Sequence, residues 1–324
     1  MRPLRRVIIG LSVAGAAACG TPSTTGTGGP APRHPAAQEA PEVGVLLMAH
    51  GGDEAWNRSV NEAVATLPAH VPAVVAYGMA NPMTLREGLE RLGERGVRRV
   101  VVVRAFLSGR SFFDQTRWYL GLASDPPEHF VLMGPAAADP SARKSLDHGL
   151  AVATHEAGLL DAPQAGEIMA ARALEVSQRP AGESVLLLAH GMGDDRDNRG
   201  VLNAMEVIAG EVRRLGFADV RAATLREDWE EERRVAEAQL RAYVRAEAAQ
   251  GRRVLVLPVR LSGFGPYAQV LEGLDYEAGR GLLPHPAVGE WVLDTANRVA
   301  CDEGWGPLSG ECPGVMAPEA EAGR

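Results

Sequence analysis

The tripeptide Ala-His-Gly closes two apolar runs, Val45-Leu46-Leu47-Met48-Ala49-His50-Gly51 and Val185-Leu186-Leu187-Leu188-Ala189-His190-Gly191. Four or five consecutive apolar residues stopped by a turn glycine read as a strand buried on both faces of a parallel sheet. Such a strand delivers its histidine to the carboxyl edge of the sheet, where open α/β folds keep their ligand sites. Meeting the run twice constrains the chain to a duplication in which two histidines end equivalent strands.

The repeat extends beyond the tripeptide. Arg98-Arg99-Val100-Val101-Val102-Val103 matches Arg252-Arg253-Val254-Leu255-Val256-Leu257, and each run leads into Leu-Ser-Gly, at Leu107-Ser108-Gly109 and Leu261-Ser262-Gly263. His50 to Leu107 spans 57 residues and His190 to Leu261 spans 71, so the second half carries 14 extra residues, which a longer helix near 227–250 would absorb. A period this long marks two homologous domains and excludes a solenoid.

The start of the chain reads as targeting. Arg2, Arg5 and Arg6 precede an apolar run over 7–18 that ends at Cys19, the pattern of a secretory signal. Ala16-Ala17-Ala18-Cys19 is similar to a bacterial lipoprotein cleavage box with Ala16 in place of the usual leucine. This gives an expected lipid anchor on Cys19 and a place in the bacterial cell envelope, facing the extracytoplasmic (periplasmic) side. An ordinary cleaved signal is the alternative. Residues 20–42, rich in Thr, Gly, Pro and Ala, lack the apolar content for a core and read as a tether. The remainder divides into domains at 43–158 and 184–300, joined by 159–183, with a tail over 301–324. The net charge of −8 disfavours nucleic acid as a partner. In an oxidising compartment the remaining Cys301 and Cys312 can pair as a disulfide; a soft-metal site is the other reading.

Alternating patterns place strands over 43–49, 73–77, 98–104 and 129–133 in the first half and 184–189, 220–224, 253–259 and 280–283 in the second. Helices are expected over 53–67, 83–95, 111–122 and 140–157, then 166–177, 197–215, 229–250, 266–274 and 286–299. Strands alternating with helices imply two tandem flavodoxin-like α/β domains with parallel sheets, related by a pseudo-two-fold axis. The whole would be a monomeric pseudo-dimer.

Tandem α/β domains with strand-end Ala-His-Gly resemble the CbiX-type sirohydrochlorin cobaltochelatases, relatives of the ferrochelatases that make sirohaem. The resemblance also rests on Ala80-Asn81-Pro82-Met83-Thr84-Leu85, on Phe106-Leu107-Ser108-Gly109 and on Leu283-Pro284-His285-Pro286. It implies binding of a divalent cobalt, iron or nickel ion and insertion of that ion into a tetrapyrrole. It implies His50 and His190 as catalytic and metal-holding residues, with Asp114, Asp53 or Asp194 assisting. Gly51, Gly52, Ser108, Gly109, Ser111, Gly191, Ser262 and Gly263 would then line the substrate site in a cleft between the halves. The family places a second histidine after the Phe-Leu-x-x-Gly loop. Here Ser111 stands in that place, and the second half has Gly263-Phe264-Gly265-Pro266. A neutral hydroxyl is a poor ligand for cobalt or iron.

Three readings therefore stay open: an active chelatase, a non-catalytic metal or tetrapyrrole carrier, and a descendant that keeps only the fold. Gly191-Met192-Gly193 lacks the spacing of a dinucleotide fingerprint and there is no Gly-Lys-Ser/Thr, so no nucleotide cofactor is expected. His70, His129, His148, His155 and His285 read as structural. Trp56 and Trp229 lie nearer the strand ends than the other tryptophans.

Overall fold

The computed structural model describes residues 42–313. Cys19, His34 and all but the last residue of the expected leader and tether lie outside them. None of the described helices is long and apolar enough to cross a membrane.

The first half runs β1 (Val43–Ala49), α1 (Glu54–Ala65), β2 (Ala73–Tyr77), α2 (Pro82–Glu94), β3 (Arg99–Ala105), α3 (Phe113–Tyr119), α4 (Pro135–Ala138), β4 (Ala151–Thr154) and α5 (Pro163–Val176). The second runs β5 (Glu183–Ala189), α6 (Asp195–Arg213), β6 (Asp219–Thr224), α7 (Glu230–Ala249), β7 (Arg253–Pro258), α8 (Tyr267–Val270), β8 (Glu277–Ala278) and α9 (Pro286–Asp302). Both sheets are parallel and have the same strand order, β2-β1-β3-β4 and β6-β5-β7-β8. The chain is thus a duplicated α/β fold. The 14 extra residues are shared: α6 has 19 residues against 12 in α1, and α7 has 20 against 13 in α2.

Side chains alternate across a strand, and here both faces are covered. Val45, Leu47 and Ala49 of β1 join Val185, Leu187 and Ala189 of β5 in one continuous core. Leu46 and Met48 face an outer core with α2; Leu186 and Leu188 face its counterpart with α7. Residues of α1, α5, α6 and α9 fill the shared core between the two sheets.

The last helix of each half crosses to the other. Leu159 and Leu160 donate backbone bonds to Phe106 O (2.9 Å) and Leu107 O (3.1 Å), as Leu282 and Leu283 do to Arg260 O (2.8 Å) and Leu261 O (2.7 Å). A helix opened by proline follows each pair, so α5 and α9 are equivalent. Yet α5 packs on β7 and α6, while α9 packs on α1, β1, β3 and β4. The close approach of α9 to α1 requires Gly289, where a Cβ would lie 1.8 Å from Thr66 Oγ1 and 2.6 Å from Ala63 O. Buried Arg172 of α5 donates to Gly281 O (2.9 Å), Leu282 O (3.4 Å) and Pro284 O (2.5 Å). The segment 159–183 is therefore a structural exchange between the halves as well as their connection.

Three expectations for secondary structure fail. The fourth strand is Ala151–Thr154, inside the expected helix 140–157, and it pairs with β3 from Arg99↔Ala151 to Val102↔Thr154. With that edge of β3 taken, 129–133 forms no strand; Val131 is held instead by the side-chain amide of Gln115. In the second half the edge strand is Glu277–Ala278, and 280–283 instead follows the Leu261 loop. Cys301, in the last turn of α9, is disulfide-bonded to Cys312. The tail between them is held by Asn297, which accepts from Leu308 N at 2.8 Å.

Candidate functional site

β1 and β5 each lead into a histidine followed by a glycine at positive φ, Gly51 at 82° and Gly191 at 84°. At Gly191 a Cβ would lie 2.7 Å from Thr224 Cβ, so glycine permits both the turn and the contact with the neighbouring strand. Nδ1 of His50 lies 2.6 Å from Gly51 O and Nδ1 of His190 lies 2.9 Å from Gly191 O. A carbonyl oxygen only accepts, so each Nδ1 is the donor to it and Nε2 is the ring nitrogen that faces outward.

The loops after the histidines are pinned alike. Asn57 Oδ1 accepts from Gly52 N, and Asn198 Oδ1 accepts from Met192 N, both at 3.0 Å. Trp56 meets His50 edge-on at 6.3 Å between centroids, and Trp229 meets His190 at 5.9 Å. The repeated asparagine went unnoticed in the sequence although it recurs seven and eight residues after the histidine.

The two halves differ at Nε2. In the second half it lies 3.1 Å from Asp228 Oδ2. Counted on from the last paired residues, Tyr77 and Thr224, Asp228 stands in the place of Asn81, one residue before the Trp229 that opens α7; Asn81 caps α2 by accepting from Met83 N at 2.9 Å. Asp228 is 73% exposed, and a pair this open adds at most about 1 kcal/mol to stability. Packing therefore does not account for it. Sequence reasoning missed Asp228; an acidic residue after the strand that neighbours a histidine strand was the available signal. Asp53 and Asp194 cap α1 and α6, which occupies carboxylate oxygen that the sequence reading assigned to an ion. Asp114 is exposed in the first turn of α3. Among the described residues no set of three His, Cys, Asp or Glu side chains is gathered to hold an ion.

A cleft of about 720 Å³ opens between the halves. Ser108, Gly109 and Arg110 wall it on one side, Met192, Arg196 and Asp197 on the other. His50, His190 and Ser111 do not line it, although Met192 stands two residues after His190. Nor do Gly51, Gly52, Gly191, Ser262 or Gly263. Behind the wall, fully buried Arg104 donates to Gly109 O, Ser111 O (2.8 Å), His155 O (2.9 Å) and Glu156 O (3.3 Å). It ties the loop after β3 to the loop after β4. Burial lowers its pKa to about 10, against the opposing pull of Glu156 and Asp114.

His155 beside it is held near pKa 4, chiefly by burial, with Arg104 and Arg298 adding to the effect. A histidine depressed below its unfolded value of about 6.5 binds fewer protons folded than unfolded between those limits, so its contribution is present above pH about 6.5 and lost as pH falls toward 4. Urea unfolding at several pH values should show a shallower acid limb for His155→Phe than for the wild type. Identical limbs would remove His155 as the cause.

No protein-family model matches the chain, and no curated protein matches it by sequence. Solved structures do match. SirB from Bacillus subtilis with Fe3+ aligns at a TM-score of 0.54 and 12% identity, over 81% of this chain and 98% of that chain. The sirohydrochlorin chelatase SirB from Bacillus subtilis subspecies spizizenii, in complex with cobalt, aligns at 0.51 and 13% identity, over 79% and 94%. CbiX, titled the terminal enzyme for biosynthesis of sirohaem in denitrifying bacteria, aligns at 0.45 and 17% identity, over 77% and 96%. At these identities the SirB alignments establish a shared fold.

Proposed function

We propose that the protein takes a divalent cobalt, iron or nickel ion on His190 Nε2 and Asp228, which stand outside the cleft, and passes it past Met192 to a tetrapyrrole held in the cleft between the halves. The observation that carries this reading is the 3.1 Å pair. Nδ1 is committed to Gly191 O, so Nε2 is the nitrogen turned to the solvent-facing carboxylate; a proton on Nε2 holds the pair without an ion, and a cation would take that proton's place. Imidazole nitrogen and carboxylate oxygen suit first-row divalent ions. The likeness of fold to SirB, solved with Fe3+ and with cobalt, supports the same class of ion and macrocycle. The cleft lies within the ~300–1,000 Å³ usual for small-molecule sites.

The ion is the substrate. Two protein ligands leave it partly hydrated and easily released. As it enters the macrocycle two pyrrole N–H protons must leave, and an imidazole such as that of His50 is a group able to accept them. A non-catalytic carrier is the second reading, favoured by Ser111 in the place of a second histidine. On either reading we place the protein on the extracytoplasmic side, which the Cys301–Cys312 disulfide supports.

Calorimetric titration with Co(II) should show binding by the wild type. His190→Ala and Asp228→Asn should each weaken it about 10–100-fold, the equivalent of a charge-assisted contact of ~1.5–3 kcal/mol. Sirohydrochlorin metallation faster than the spontaneous rate would identify a chelatase, and binding without acceleration a carrier. A wild type that binds no cobalt would leave only the fold in common.

A further inference from the structure

We infer that Arg226 is a positioning residue that sets Asp228 against His190, and so fixes the affinity of the pair for a divalent cation without touching the ion. The inference rests on the reading of His190 and Asp228 as ion ligands.

Arg226 lies two residues beyond β6 at φ +57°, the left-handed region that L side chains rarely adopt. Counted from the strand ends its counterpart is Met79, left-handed at φ +49° within a left-handed run from Gly78 to Ala80, so a left-handed residue at this point is common to both halves although the turns differ. The guanidinium belongs to one. It occurs in the half where Asp228 replaces Asn81, and the two differences coincide with the ion pair.

The bonds that Arg226 donates run from the β6 loop to the His190 loop and the start of α6. Its backbone N donates to His190 O at 2.6 Å. Nε donates to Met192 O at 2.8 Å, a second guanidinium nitrogen to Gly193 O, and the third to Asp195 Oδ1 at 2.7 Å. Glu227 N also reaches His190 O, at 3.2 Å, and Trp229 N donates back to Arg226 O at 3.1 Å. The Trp229 ring then covers Gly193, where a Cβ would lie 2.1 Å from its Nε1. Residues 226–229 thus wrap around 190–193, and Asp228 falls where its Oδ2 reaches Nε2. Asp228 itself is mostly exposed, so this wrapping is what orients it. A freely rotating surface aspartate would meet an ion on His190 only part of the time.

The test is Co(II) titration of Arg226→Ala, Arg226→Gly and Arg226→Lys, each alone and with Asp228→Asn. Glycine relieves the left-handed backbone while removing the clamp, so a defect shared by the Ala and Gly variants assigns it to the side chain. Both should bind cobalt about tenfold more weakly, with lysine restoring part of the loss. In the Asp228→Asn background, Arg226→Ala should add nothing, because neighbours acting through one contact are not additive. The thermal midpoint of the ion-free protein separates this from misfolding and should stay near that of the wild type. Wild-type affinity in the Ala and Gly variants, with Asp228→Asn impaired, would overturn the positioning role and leave the ion site standing. Independent, additive losses would also overturn it. A wild type that binds no cobalt would remove both.

Discussion

Deleting residues 285–313 should abolish the cooperative unfolding transition of the whole molecule, even though the cut falls after both sheets are complete. The segment removed carries α9, which covers the inner face of the first sheet rather than the second. Val288, Trp291, Val292 and Val299 are all at least 93% buried there. Burying such side chains contributes ~1.5–3 kcal/mol each, together on the order of 10 kcal/mol, against a typical total stability of 5–15 kcal/mol. The loss should propagate, because Val45 of the first sheet and Val185 of the second belong to one core. Trp291→Ala alone should cost about 3–5 kcal/mol. Circular dichroism with urea titration reads both effects. A truncated chain that keeps a sharp transition would mean that the second half folds by itself.

Gly109→Ala should be nearly as damaging, from a single methyl group. A Cβ at Gly109 would stand 1.7 Å from Glu156 O, and one at Gly158 would stand 2.2 Å from Leu107 O. Two backbones are in direct contact, and neither can yield as a flexible side chain would. Separating them would also pull Gly109 O and Glu156 O away from the guanidinium of Arg104. Mutations above about 4 kcal/mol arise from such unavoidable clashes, and at ~2–4 °C per kcal/mol the thermal midpoint should fall by roughly 10 °C or more. Gly263, the matching residue of the second half, has no atom within 4 Å of its missing Cβ. Its φ of +77° predicts a smaller loss for Gly263→Ala, roughly 1–2 kcal/mol. Equal midpoints for the two variants in scanning calorimetry would contradict the contact at Gly109.

The central strands were readable because burial on both faces keeps most of their residues apolar: Leu46 and Leu47 point to opposite cores, and both are apolar. The edge strands were not. Ala151–Thr154 and Glu277–Ala278 are short and carry few branched residues, and their pairing is dictated by β3 and β7. The segment 129–133, richer in large apolar residues, lost to Ala151–Thr154 for the edge of β3. The exchange of α5 and α9 left no local trace, since a helix of the same amphipathic pattern fits either sheet. His50 and His190 were legible as motif repeats, whereas Asp228 and Arg226 acquire meaning only when β6 is laid beside β5.

The crossing of the terminal helices also sets an order of events in time. The first sheet's central strands are complete once β3 ends at Ala105, but the helix that closes its inner face begins at Pro286. At ~5–20 residues per second of synthesis, roughly 10–40 s separate the two. Throughout that interval the growing chain carries an apolar sheet face that α1 covers only in part. A chaperone that shields extended apolar surface is the natural companion of such a chain, and slower synthesis near the C-terminus would lengthen its exposure to aggregation rather than help it fold.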